Sequence, residues 1–178
     1  MNGYFKIRSF AKINLAINIT GKSLLLHKIE SIVSFINLSD EIFIKKSSKD
    51  NHIVKFKGKF SKNIKKKNTV LKLLQVLDDT KLLKGEKYKI YINKNIPSKA
   101  GLGGGSMNAA SILKFLIKKK IINISKKKIF EVCNLVGSDV ILGMYSKNLL
   151  LKSNGSINLI SSMKNKNVLI VKPNFGCS

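Results

Sequence analysis

Pro97-Ser98-Lys99-Ala100-Gly101-Leu102-Gly103-Gly104-Gly105-Ser106-Met107-Asn108-Ala109-Ala110 lies between an alternating apolar stretch, Tyr88 to Ile92, and a helical stripe of Ala109, Ala110, Leu113, Phe115, Leu116 and Ile117. The order is strand, glycine-rich loop, helix. Glycine permits positive φ and close approach of the backbone to a ligand. Successive N–H groups in such a loop, backed by the positive end of the next helix dipole, make a cradle for phosphate. Ser106 adds a hydroxyl donor. The competing reading is a flexible glycine loop with no ligand. No Gly-Lys-Ser/Thr follows at P-loop spacing, and no G-x-G-x-x-G with a downstream acidic residue marks a dinucleotide site.

Toward the N-terminus the chain reads as short strands: 4–8, 11–19, Ile29 to Ile36, Glu41 to Lys45, and His52 to Phe56 with clean alternation. Gly21, Ser39-Asp40 and Ser47 to Asn51 supply turn chemistry between them. The period then changes. Val70, Leu71, Leu73, Leu74 and Leu77 predict a helix, with Asn68 or Thr69 as its N-cap. Toward the C-terminus, Ser125 caps a further helix through Leu135, ended by Gly137, and Leu149–Leu151 and Val168–Val171 read as strands. Strands with helices between and after them, without strict βαβ alternation, predict an α+β domain.

The chain has 178 residues, enough for one core, with 44% hydrophobic residues, 12 Gly, two Pro and no Trp. No apolar run reaches membrane-spanning length, and Lys6, Arg8 and Lys12 interrupt any secretory h-region. The two cysteines, Cys133 and Cys177, form neither a metal spacing nor a disulfide framework, so reduced thiols in a cytoplasmic protein are expected. The net charge of +25 comes from 33 Lys and the single Arg8. Lys runs at 65–67, 118–120 and 126–128 lack interleaved aromatics, which favours solvated faces over a nucleic-acid patch, although Lys alone does support non-specific phosphate contacts. The 24 Ile and 18 Asn accompany the Lys as residues with A/T-rich codons, which points to base composition as a source of the charge.

Three side chains outside the loop draw notice. Strict alternation puts Lys12 on one side of its strand with Phe10 and Asn14, and Ala11, Ile13 and Leu15 on the other. Lys12 has a bland alternative, a snorkelling lysine. Asp139, in Gly137-Ser138-Asp139-Val140, is one of only nine acids and stands among apolar residues, though a cap or turn aspartate would look the same. His27, after Leu24-Leu25-Leu26, reads alone as a half-buried histidine.

Taken together the segments resemble a known family. Phe10-Ala11-Lys12-Ile13-Asn14-Leu15 is similar to its Pro-Ala-Lys-hydrophobic-Asn-Leu opening, and Ile19-Thr20-Gly21 followed by His27 keeps its order. The 97–110 stretch resembles its ATP loop, and Gly137-Ser138-Asp139-Val140 its Gly-Ala-Asp-Val-Pro. The family is that of the GHMP kinases, in particular those acting on 4-diphosphocytidyl-2-C-methyl-D-erythritol. The resemblance implies an α+β fold like domain 2 of ribosomal protein S5. It implies a cytoplasmic kinase of isoprenoid precursor synthesis, with ATP as phosphoryl donor, Mg²⁺ accompanying ATP, and the 2-hydroxyl of diphosphocytidyl methylerythritol as acceptor. Asp139 would take the hydroxyl proton and Lys12 would offset developing negative charge. Pro97, Ser98, Lys99, Ala100, Gly101, Leu102, Gly103, Gly104, Gly105, Ser106 and Met107 would bind ATP, with Asn68 bordering the adenine. Asn14 and His27 would serve the acceptor, His27 at the cytosine edge.

No dedicated metal cage is expected, and neither is a membrane or specific nucleic-acid partner; the resemblance implies a monomer or homodimer. It makes residues 1–172 the N-terminal ATP-binding domain and 173–178 the start of a linker to a C-terminal domain. Four departures stand out: Phe10 for Pro, Leu26 for the Tyr that stacks on cytosine, Met107 for Ser, and Ile141 for Pro. Two rivals remain, a basic RNA-binding module of the same fold and a GHMP kinase for a sugar, homoserine or mevalonate.

Overall fold

The computed structural model describes residues 3–22, 27–62, 64–161 and 167–171. Two long antiparallel strands, β1 (Phe5–Lys22) and β2 (His27–Lys46), form its spine. The sequence predicts interruptions after Arg8 and at Ser39-Asp40, but neither exists. Ser9 pairs with Asp40 and Phe10 with Ser39, so these polar residues lie inside the ladder. They read as a turn because their satisfying partners are distant in sequence: Asp40 is bonded by residues 94–96 and 108. Gly21 also lies in the strand, opposite Lys28, after a register shift.

The other edge of β2 carries two partners. Its residues 41–46 pair antiparallel with β4 (Tyr88–Asn93), and 31–33 with β5 (Leu149–Leu151). β3 (Ile53–Lys57) runs parallel to β4, and β6 (Ile157–Leu159), too short to register as a pattern, pairs antiparallel with β5. Residues 168–171 are not a strand: they join no ladder among the described residues, and Leu169 is 89% exposed. β-branched composition favours a strand only where a sheet offers an edge and a buried face.

Among the described residues three α-helices pack with the sheet: α1 (Thr69–Asp79), α2 (Gly104–Lys118) and α3 (Lys126–Val136). Asn68 Oδ1 accepts from the N–H groups of Val70 and Leu71, and Ser125 Oγ from that of Lys128, as N-cap chemistry requires. Leu73, Leu74 and Leu77 of α1, Ile112, Leu113 and Leu116 of α2, and Val132 and Val136 of α3 form one core with Ile42, Ile44, Ile90 and Ile92 of the sheet. Full burial of each such side chain contributes about 1.5–3 kcal/mol. Cys133 lies in this core, and burial pushes its thiol up to about 11, so it is an inert apolar residue. Cys177 lies outside the described residues.

A polar latch closes the far end of α1. His52 Nδ1 accepts the Tyr88 N–H at 3.0 Å, which places the ring proton on Nε2, 3.0 Å from Asp78 Oδ2. Lys87 Nζ lies 2.5 Å from the same oxygen. Burial holds the His52 pKa below its ordinary value, outweighing Asp78, and a proton on Nδ1 would break the Tyr88 bond. The folded state therefore binds this proton less readily than the unfolded chain. The latch's contribution is present above the unfolded histidine pKa near 6.5 and is lost as pH falls through the interval down to the folded value. Thermal midpoints measured from pH 8 to 5 should fall for the wild type and fall less for His52→Gln; parallel curves would refute the latch.

Candidate active site

The glycine-rich loop leaves β4, turns through positive φ at Lys99, Gly101 and Gly103, and enters α2. Gly103 is the N-cap, with φ 65° and no capping side chain, so the first-turn amides have no side-chain acceptor from the cap. The loop leans on β1, where the Lys12 N–H donates to the Leu102 carbonyl at 3.1 Å. That contact falls at a register shift: Phe10 pairs with Ser39 but Lys12 with Phe35, so Ala11 faces the three residues 36–38 of β2 without a ladder partner. The shift breaks the alternation that sequence predicts. Ala11 and Lys12 are both buried, while Phe10 is 39% exposed.

Lys12 is thereby folded in against the loop. A Cβ on Gly103 would lie 2.8 Å from Lys12 Cγ. The ammonium reaches Asp139 Oδ2 at 3.2 Å and Asn14 Oδ1 at 2.6 Å. Asn14 is itself held, its Nδ2 donating to Ser31 Oγ, whose hydroxyl donates to the Ala16 carbonyl, both at 2.8 Å. Asp139 sits in the turn after α3, closed by the Val140 N–H on the Gly137 carbonyl. The Lys12 side chain is 9% exposed and that of Asp139 38%, an ion pair with one open side. An open carboxylate backed by a buried ammonium can accept a proton from an incoming hydroxyl.

Next to this pair lies a cleft of about 660 Å³. Pro97 to Ser106 and Asn68 are among the residues that line it. Phe56, Phe60, Ile64 and Val70 give an apolar part, and Lys59, Lys62 and Lys94 give cations that the sequence reading did not single out. Met107 is not brought to the cleft. Its side chain is buried with Val33, Leu142 and Leu149, and its N–H is taken by the Gly103 carbonyl. His27 opens β2 opposite Lys22; its side chain is outside what the structure describes. Among the described residues no cluster of His, Cys, Asp or Glu could hold a metal ion, and no helix is long and apolar enough to cross a membrane.

The sequence reading also missed Asp40, Lys94 and Asn108, all buried beneath the loop. Scarcity of acids, which drew notice to Asp139, applies equally to Asp40. Lys94 carries no such signal among 33 lysines.

Comparison with known proteins adds to this geometry. Residues 68–147 match the family described as GHMP kinases N terminal domain. A 4-diphosphocytidyl-2-C-methyl-D-erythritol kinase from Pelagibacter ubique (strain HTCC1062) is 53% identical over 98% of this chain, which spans 62% of that relative's length. A crystal structure of a 4-(cytidine 5'-diphospho)-2C-methyl-D-erythritol kinase superposes with a TM-score of 0.68 at 20% identity, covering 88% of this chain and 55% of that one. A mevalonate kinase superposes with a TM-score of 0.63 at 18% identity, over 88% and 56%. At those identities the structures show the shared fold alone.

Proposed function

We propose that this chain, whose residues 68–147 match the GHMP kinases N terminal domain, forms the ATP-binding part of a kinase that phosphorylates the 2-hydroxyl of 4-diphosphocytidyl-2-C-methyl-D-erythritol. The observation that carries this reading is the Lys12–Asp139 pair at 3.2 Å, seated against Gly103 of the glycine-rich loop. A phosphoryl donor in the loop and an acceptor hydroxyl at Asp139 would meet there. The likeness of the Pelagibacter relative, named for that substrate, supports the choice of acceptor.

Phosphoryl transfer needs positioning and charge stabilisation more than covalent chemistry. In this proposal the loop amides from Gly101 to Ser106 and the α2 N-terminus bind the phosphates. The cleft between Phe56, Phe60, Ile64 and Val70 accepts the purine, with Asn68 at its border. Asp139 Oδ2 takes the hydroxyl proton as the oxygen attacks. Lys12 stabilises the negative charge that spreads over the transferring group. Asn14, fixed by Ser31, keeps the ammonium turned toward Asp139, and His27 reads the cytosine edge. Mg²⁺ would arrive with ATP and neutralise phosphate charge; with no acidic cluster among the described residues, its ligands would be mostly phosphate oxygens and water.

We take residues 1–172 as the N-terminal domain and assign the remaining acceptor contacts to a second domain, of which the relatives' greater length leaves room. The reading places the enzyme in the cytoplasm, in the non-mevalonate route to isoprenoids, as a monomer or homodimer without membrane or specific nucleic-acid partner. The test is an assay of the protein with its second domain, using γ-phosphate-labelled ATP and three acceptors, the diphosphocytidyl methylerythritol, mevalonate and homoserine. Label should pass to the first alone. Transfer to either of the others, or to none, overturns the assignment.

A further inference from the structure

We propose that Asp40 is a positioning residue that clasps both feet of the glycine-rich loop and so fixes the cradle in which ATP phosphates bind; this rests on the kinase reading above. Asp40 is fully buried, in the C-terminal half of β2. A buried carboxylate is tolerated only when its oxygens are satisfied. One oxygen accepts the N–H groups of Asn95 and Ile96, at 2.8 and 2.9 Å, the last residues before Pro97. The other accepts from the Lys94 ammonium and, at 2.9 Å, from Asn108 Nδ2 in α2. The first oxygen holds the foot that leaves β4, the second joins that foot, through Lys94, to the α2 foot, through Asn108, and the residues between are the cradle.

Two details tie the clasp to the loop. A Cβ on Gly104, the first helical residue, would lie 3.0 Å from Lys94 Nζ and 3.1 Å from Ile96 Cγ2, so the start of α2 is seated against the clasp. Asn108 Oδ1 is buried with no partner while its Nδ2 is spent on Asp40. The amide orientation thus follows the carboxylate. An apolar replacement at position 40 could fill the space, as it does for many buried ion pairs. It could not hold the amides of residues 95 and 96.

The chemistry suggests its own rescue. Asp40→Asn keeps one oxygen for the two backbone amides but turns an NH₂ toward an ammonium and a second amide NH₂. Adding Asn108→Asp removes that second amide NH₂ and sets a carboxylate opposite the new NH₂ at position 40, returning the negative charge beside Lys94. Three readouts on the protein separate the possibilities: hydrogen exchange of residues 98–106 against α3, affinity for ATP, and thermal midpoint. Asp40→Asn should speed exchange in 98–106 but not in α3, and weaken ATP binding about tenfold, the loss expected when buried donors lose a charged acceptor. The double variant should recover most of both. Asn108→Ala, which frees only the α2 foot, covers the case in which Asp40→Asn fails to fold, and should shift both readouts in the same direction. Unchanged loop exchange or ATP affinity in a folded variant, or a double variant no better than the single, overturns the clasp. A wild type that binds no ATP overturns the kinase reading instead, while loop exchange still judges the clasp.

Discussion

Asp139→Asn is expected to lower phosphoryl-transfer turnover by about 10² to 10⁴-fold, the usual contribution of a positioned base, with little change in KM for ATP. The asparagine keeps the size of the side chain and can still accept from Lys12, so the site's packing survives while its proton acceptor is gone. Lys12→Ala should cost about 10² to 10³-fold through lost stabilisation of developing charge. In the proposed mechanism the two, 3.2 Å apart, act on one transfer event. The double variant should therefore be about as slow as the slower single, far from the product of both losses. Lys12→Arg should not rescue: a planar guanidinium is wider than the space beside Gly103, whose Cβ position already lies 2.8 Å from the lysine chain. Steady-state kinetics on the four variants, with thermal midpoints as a folding control, check this. Multiplicative losses would mean that the pair acts in separate steps, and the mechanism would have to be redrawn.

What the sequence made legible is what depends on local chemistry. The caps of α1 and α3 were readable because Asn68 and Ser125 satisfy amides two or three residues away. The helix stripes, the strand at 88–93 and the glycine loop were readable for the same reason, since their signals lie within one window. The joined β1 and the unbroken β2 were not. Their continuity depends on partners across the sheet, and Ser39-Asp40 carries turn chemistry that long-range donors override. The 168–171 run failed in the opposite sense, with strand composition but no ladder among the described residues.

The same division runs through the candidate site. Lys12 and Asp139 were named from separate segments, but that they meet follows from an irregularity at Ala11 and a turn at Gly137. Gly137 marks the turn in sequence, but nothing there marks the irregularity at Ala11 or brings the two segments together. Bulges re-aim side chains where the ladder is interrupted, and here Ala11 of β1 faces residues 36–38 of β2 without a ladder partner, at the place where β1 meets the loop. The basic charge was likewise a poor guide. The lysines that matter to the site are distinguished by burial, with Lys12 at 8% and Lys94 at 4% exposure, a property that composition cannot show.

Gly103→Ala is expected to damage turnover far more than Gly101→Ala, although both glycines have the same kind of backbone. Their φ angles are +65° and +69°, so an alanine at either pays a left-handed strain of about 1–2 kcal/mol. The surroundings differ. At Gly101 a new Cβ meets nothing within 4 Å, whereas at Gly103 it meets Lys12 Cγ at 2.8 Å and Cε at 3.1 Å. The lysine stem must give way, and with it the ammonium that reaches both Asp139 and Asn14. Displacements of about 1 Å at a reacting centre can cost on the order of 10²-fold. Gly103→Ala should therefore lower kcat by about that factor and raise KM for ATP, because cradle and cation move together. Gly101→Ala should mainly raise KM for ATP, through the strained loop. Equal kcat losses in the two variants would show that strain in the loop, not displacement of Lys12, is the cause. The link between the phosphate cradle and the base pair would then have to run through some contact other than Gly103.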